Sequence, residues 1–239
     1  MKALSLLVVL AACASAPQAE SRTPKAESPA PAAERFVLKV RQDFFDGLRG
    51  DTAALERAMT VCEAALAKNP NDAEAMVWHG AGLIARSIPH FQSGDTAGGV
   101  PLYQRGLAEM DHAVELAPSQ VAVRIPRGAV LLAIAQHAPA EQKARLYKDG
   151  AADYEVTLAQ QESYFSTLSL HSREQLLYGL TDAYAAMGDG AKARAYYARM
   201  ERDAAGSELL ARAKARADGQ TVAGDAPCEQ CHAGSRYHR

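Results

Sequence analysis

Near the end of the chain two thiols stand three residues apart, with an imidazole directly after the second: Cys228, Glu229, Gln230, Cys231, His232. That spacing is suited to three kinds of chemistry. The thiols can form thioethers with the vinyl groups of a haem while the adjacent imidazole ligates its iron. They can close on each other as a disulfide, or join His232 and His238 in holding zinc. With 4 Cys and 7 His among 239 residues, chance would give the five-residue pattern about twice in a thousand such chains. A disulfide has no use for the histidine, and a redox-active pair of this spacing sits between a strand and a helix, neither of which the flanking sequence suggests. The zinc set lacks the usual separation between ligand pairs.

The remaining cysteines are accounted for separately. Met1-Lys2 and the apolar run from Ala3 to Ala12 make an export signal, too short to span a bilayer. Its end, Leu10-Ala11-Ala12-Cys13, resembles the lipobox of bacterial lipoproteins; that resemblance implies a lipidated Cys13 holding the protein at a membrane in the periplasm. Ordinary cleavage after Ala14-Ser15-Ala16 is the alternative and leaves a soluble periplasmic protein. Cys62 falls in a helical packing position and is expected to be an inert buried thiol. No pair is left over for a structural disulfide.

Cys228 to His232 resemble the attachment site of c-type cytochromes. The resemblance implies haem c bound covalently through Cys228 and Cys231, with His232 as an axial ligand of the iron. Covalent haem is attached outside the bacterial cytoplasm, where the export signal would deliver the chain. Only seven residues follow His232, so the class I cytochrome fold, which follows its motif, is excluded. Class II cytochromes are similar in carrying the motif late, often with an Arg four residues beyond the His, as Arg236 is here. Their motif lies on a long helix, whereas Gly224 and Pro227 precede this one. For the second axial position the tail offers only His238, and six residues must carry it round the porphyrin, an extended reach of about 20 Å. An open sixth site or a remote ligand is therefore expected, with His90 as a candidate.

Hydrophobic residues make up 48% of the chain, with 11 Pro and no alternating β-branched run, which predicts an all-α protein. A net charge of −2 without a basic block removes the footprint that nucleic-acid binding requires. Residues 1–19 read as the signal, 20–34 as a disordered Pro/Ala/Ser tether, 35–217 as the helical body and 218–239 as the tail.

Within the body, Glu174 to Asp203 read as two helices broken at Met187-Gly188-Asp189-Gly190. Leu176, Leu177, Leu180, Tyr184 and Met187, then Ala193, Tyr196, Tyr197 and Met200, recur at spacings of three and four. The order Leu177, Leu180, Tyr184, Gly188, Ala193, Tyr197 resembles the tetratricopeptide (TPR) repeat, which implies a solenoid of stacked helical hairpins with a protein-binding groove lined by first helices. Leu102-Tyr103-Gln104-Arg105-Gly106 returns 44 residues later as Leu146-Tyr147-Lys148-Asp149-Gly150, marking equivalent second helices, while Gly80 and Gly128 take the small position of first helices. The usual TPR period is about 34 residues, so the extra length must lie in longer helices or in turns.

Further expectations follow along the chain. Asp51 and Thr52 are placed to cap a helix that ends at Lys68. Ser87 to Pro101 reads as a loop carrying His90. Pro126 kinks its helix or marks its start, with Arg124 and Arg127 either solvated or clamping an acidic group such as haem propionates. Val77, Ala81, Ile84, Ile125, Ala129 and Leu132 line either an apolar groove or a larger core. Ser207 caps a terminal helix. No paired acid and base and no nucleophile arrangement indicates an enzyme. Two functions result: a lipid-anchored electron-transfer partner or redox-complex subunit, or a periplasmic interaction scaffold whose tail binds metal or forms a disulfide.

Overall fold

Gly-Asp dipeptides recur along the chain, among them those at 50–51, 94–95 and 188–189. In the computed structural model, which describes residues 35–222, each of these three forms the turn of a helical hairpin. Gly50, Gly94 and Gly188 take φ of 104°, 80° and 81°, a conformation that costs other residues about 1–2 kcal/mol, and so end the first helix. The aspartate then caps the second. The carboxylates of Asp51, Asp95 and Asp189 accept from the amides of Ala54, Gly98 and Lys192 at 3.0, 2.9 and 3.0 Å. One backbone bond closes each turn in the same way, from Asp51, Asp95 and Asp189 back to the carbonyls of Asp46, His90 and Tyr184.

The described residues are all-α, with no strand among them. In order they form α1 (Phe36–Leu48), α2 (Thr52–Lys68), α3 (Ala73–Gln92), α4 (Thr96–Leu116), α5 (Val121–His137), α6 (Ala140–Gln161), a 3-10 segment (Glu162–Thr167), α7 (Leu170–Ala186), α8 (Gly190–Asp203) and α9 (Leu210–Ala217). Helices pair α1 with α2, α3 with α4, α5 with α6 and α7 with α8. Each odd-numbered helix also touches the next odd-numbered one, from α1 through to α9. α3 meets α1, α2, α4 and α5, which is why its sequence is apolar nearly all round. Its Trp78 packs on Phe44 of α1 with ring centroids 5.0 Å apart. A continuous apolar cluster runs from Val40 to Ala213.

The 44-residue sequence copy is a copy in space. Gly106 crosses Gly80 so closely that a Cβ on Gly106 would lie 2.6 Å from the Gly80 carbonyl oxygen. At the equivalent crossing of α6 with α5, a Cβ on Gly150 would lie 2.8 Å from Leu132 Cδ2 and 3.2 Å from the Gly128 carbonyl oxygen. Backbone cannot yield as a side chain does. Gly106→Ala must part α3 from α4, and is expected to cost about 1–3 kcal/mol, read as a lower urea midpoint; an unchanged midpoint would contradict so tight a crossing.

Several expectations are corrected. The stretch from Ser87 to Pro101 is not a long loop: α3 continues through Pro89 to Gln92, and α4 starts at Thr96 and carries Pro101 inside it. The glycines there serve close packing, since a Cβ on Gly98 would meet His90 Nδ1 at 2.5 Å and one on Gly99 would meet the Phe91 ring at 2.9 Å. α3 and α4 pack against each other over a long face, and that tertiary context overrides the local preferences of Gly and Pro. Pro126 does not mark the start of α5, which begins five residues earlier at Val121. Ser207 is not the cap of α9. Its Oγ accepts from the Leu209 amide at 3.0 Å in a turn that precedes the helix.

Candidate functional site

Cys228, Cys231, His232, Arg236 and His238, as well as Cys13 with the signal and tether, lie outside the described residues. What the structure places are the helical candidates. Among the described residues no group of three His, Cys, Asp or Glu side chains is arranged to hold a metal ion, and no helix is long and apolar enough to cross a membrane.

Arg124 and Arg127 are one turn apart on α5 and point together onto α6, where Asp153 is fully buried. Arg124 Nη1 donates to Asp153 Oδ1 at 2.5 Å and Arg127 Nη1 to Oδ2 at 2.6 Å. Arg124 Nε also donates to the Pro118 carbonyl at 2.8 Å, and Arg127 Nη2 to Asp111 Oδ1 at 2.6 Å. The arginines are therefore neither solvated nor free to clamp a propionate; the residues on offer do not fit that role. Burial lifts the Asp153 carboxyl above the ordinary carboxylate range against the pull of Arg127 and Arg124. For Arg127 burial works against the charge, and Asp153 and Asp111 outweigh it, so its pKa is raised. The sequence hid this site because Asp153 lies in an ordinary polar stretch, 26 and 29 residues from its partners.

His90 sits in the last turn of α3, half-exposed, with Nδ1 2.8 Å from Asp95 Oδ2. When Nδ1 donates there, Nε2 is the nitrogen left to accept or ligate. The amide of Gly98 and then the His90 contact hold the Asp95 carboxyl below its usual value.

A second ionic site was not anticipated. His79 is buried in α3 with Nδ1 2.5 Å from Glu109 Oε2 on α4, and Glu109 Oε1 accepts from Arg105 Nε at 2.8 Å. Burial raises the Glu109 carboxyl while His79 and Arg105 draw it down, leaving it lowered. Beside it opens an apolar crevice of about 410 Å³, lined by Leu66, Met76, Ala108 and His112 among others. A histidine inside the apolar run of α3 was the available signal, since a buried imidazole needs a partner.

Cys62 is fully buried, and burial first, then the charges of Glu63, Asp72 and Glu109, push its thiol up to about 12. The unfolded value is about 8.5, so the stability this neutral thiol confers is complete below that pH and falls as pH climbs toward 12. Native Cys62 is expected to resist iodoacetamide at pH 8 and to react once urea unfolds the chain, as read by peptide mass spectrometry. Prompt labelling of the native protein would contradict its burial. Of the expected groove positions, Val77, Ala81, Ile84 and Leu132 are core residues, while Ile125 and Ala129 are half-buried; the larger core is what forms.

Compared with family models, with curated proteins and with solved structures, the chain matches none.

Proposed function

We propose that this is an exported protein, anchored at a periplasmic membrane face by lipid on Cys13, that carries one covalent haem c on its C-terminal tail and serves as an electron-transfer partner or redox-complex subunit. What carries it is the spacing of Cys228, Cys231 and His232: two thiols able to add across the haem vinyl groups and an imidazole able to ligate the iron. The haem would supply one-electron transfer. The export signal supports the same compartment, since covalent attachment takes place outside the cytoplasm.

The helical body is proposed to be a TPR-like solenoid that docks a protein partner. Support comes from the repeated Gly-Asp turns, the glycine crossings of α3 with α4 and α5 with α6, and the contact of each odd-numbered helix with the next. Helices of 20 to 22 residues in α3, α4 and α6 would hold the length beyond the usual TPR period.

The test is haem staining after denaturing electrophoresis of the full chain, expressed in a host with haem-attachment machinery. A stained band at the mass of the protein is expected. An unstained band that binds zinc, or that runs as a Cys228–Cys231 disulfide, overturns the haem proposal in favour of an interaction scaffold.

A further inference from the structure

We propose that the joint between the second and third hairpins is a hinge, pivoting where α3 meets α5 and latched on the opposite side by Asp111 of α4 gripping Arg127 and Arg145. The two sides of this joint are built differently. α3 and α5 pack against each other, but α4 and α5 meet over little surface, far less than α2 with α3 or α6 with α7. Between α4 and the α5–α6 pair a crevice of about 240 Å³ remains, floored by Leu107, Leu131 and Leu146.

Asp111, Arg127 and Arg145 line the same crevice, and ionic contacts join them across it. Asp111 Oδ1 accepts from Arg127 Nη2 at 2.6 Å and from Nε at 3.2 Å, and Oδ2 accepts from Arg145 Nη2 at 3.5 Å. Arg127 is fixed at its other amino group by the buried Asp153, so it stays in place whether or not Asp111 holds it. Asp111 itself is more than one-third exposed, and water can replace its half of the contact. Charge-assisted bonds of this kind are directional and short in range. They hold one separation well and none beyond it, whereas apolar packing over a long face resists opening along its whole length.

The hinge is tested in the full chain with a ketone-bearing amino acid placed at the exposed positions Gln104 on α4 and Lys148 on α6, coupled to nitroxides and measured by double electron–electron resonance. This labelling leaves every cysteine untouched. The otherwise native chain is expected to give one narrow distance distribution. Asp111→Asn is expected to add a longer-distance population, raising the ratio of open to closed forms about tenfold, the factor that loss of one charge-assisted bond supplies. Asp111→Glu, which keeps the charge, is expected to restore the narrow distribution, and circular dichroism must show the same helicity in all three. An Asp111→Asn distribution that matches the native one in width and position overturns the proposal.

Discussion

Asp153→Ala is expected to lower stability by about 3–5 kcal/mol, the cost of removing one partner from a buried ion pair. The carboxylate is fully buried and touches two guanidinium groups that are themselves mostly buried. After its removal Arg127 keeps Asp111, and Arg124 keeps the Pro118 carbonyl, but neither bond supplies a second negative charge inside the core. Urea denaturation followed by circular dichroism measures the loss. Arg124→Met, which removes one positive charge and leaves the Arg127 pair whole, is expected to cost less than Asp153→Ala. A loss below about 1 kcal/mol for Asp153→Ala, the range of an exposed pair, would mean that water reaches the carboxylate and that the site is not a structural centre.

The paired substitution Cys228→Ser with Cys231→Ser is expected to remove covalent haem completely while leaving the fold as it is. Among the described residues the apolar cluster runs from Val40 to Ala213, and helices α1 to α9 pack on one another along it. The double variant should therefore keep its helicity and unfold within about 0.5 kcal/mol of the parent, the usual range for changes away from packed features. A variant that loses haem and also unfolds would show that the tail is part of the folded unit. One that keeps covalent haem would place the attachment elsewhere.

Much of the helical body was legible. The stripe in α7 and α8 lies where its spacing puts it, with Leu176, Leu177, Leu180, Ala193 and Met200 buried, and the copy of the α4 segment in α6 marks equivalent crossings. The stretch from Ser87 to Pro101 was misread because Gly and Pro signal a loop only when nothing packs on them. Here Gly98 and Gly99 lie against His90 and Phe91, and close approach rewards the missing Cβ. The better signal is the dipeptide at 94–95, which matches the Gly-Asp pair of the turn at 188–189. Arg124 and Arg127 were misread for another reason: partner choice across two helices depends on which face of α6 turns inward, and a mixed polar sequence such as that around Asp153 does not declare it. The proposed haem attachment rests on five residues whose spacing is chemically specific.

The most direct measurement is the absorption spectrum of the native, purified protein matured with haem-attachment machinery. A Soret band in the protein peak is expected, with the haem staying on the precipitated protein after acid–acetone extraction because it is held by thioethers. If the sixth site is open, the ferric spectrum is high-spin and shifts on addition of imidazole or cyanide; a low-spin spectrum that Asp95→Ala and His90→Ala leave unaltered but His238→Ala converts to high spin would assign the second ligand to the tail. A colourless protein with no Soret absorbance contradicts the proposed function outright.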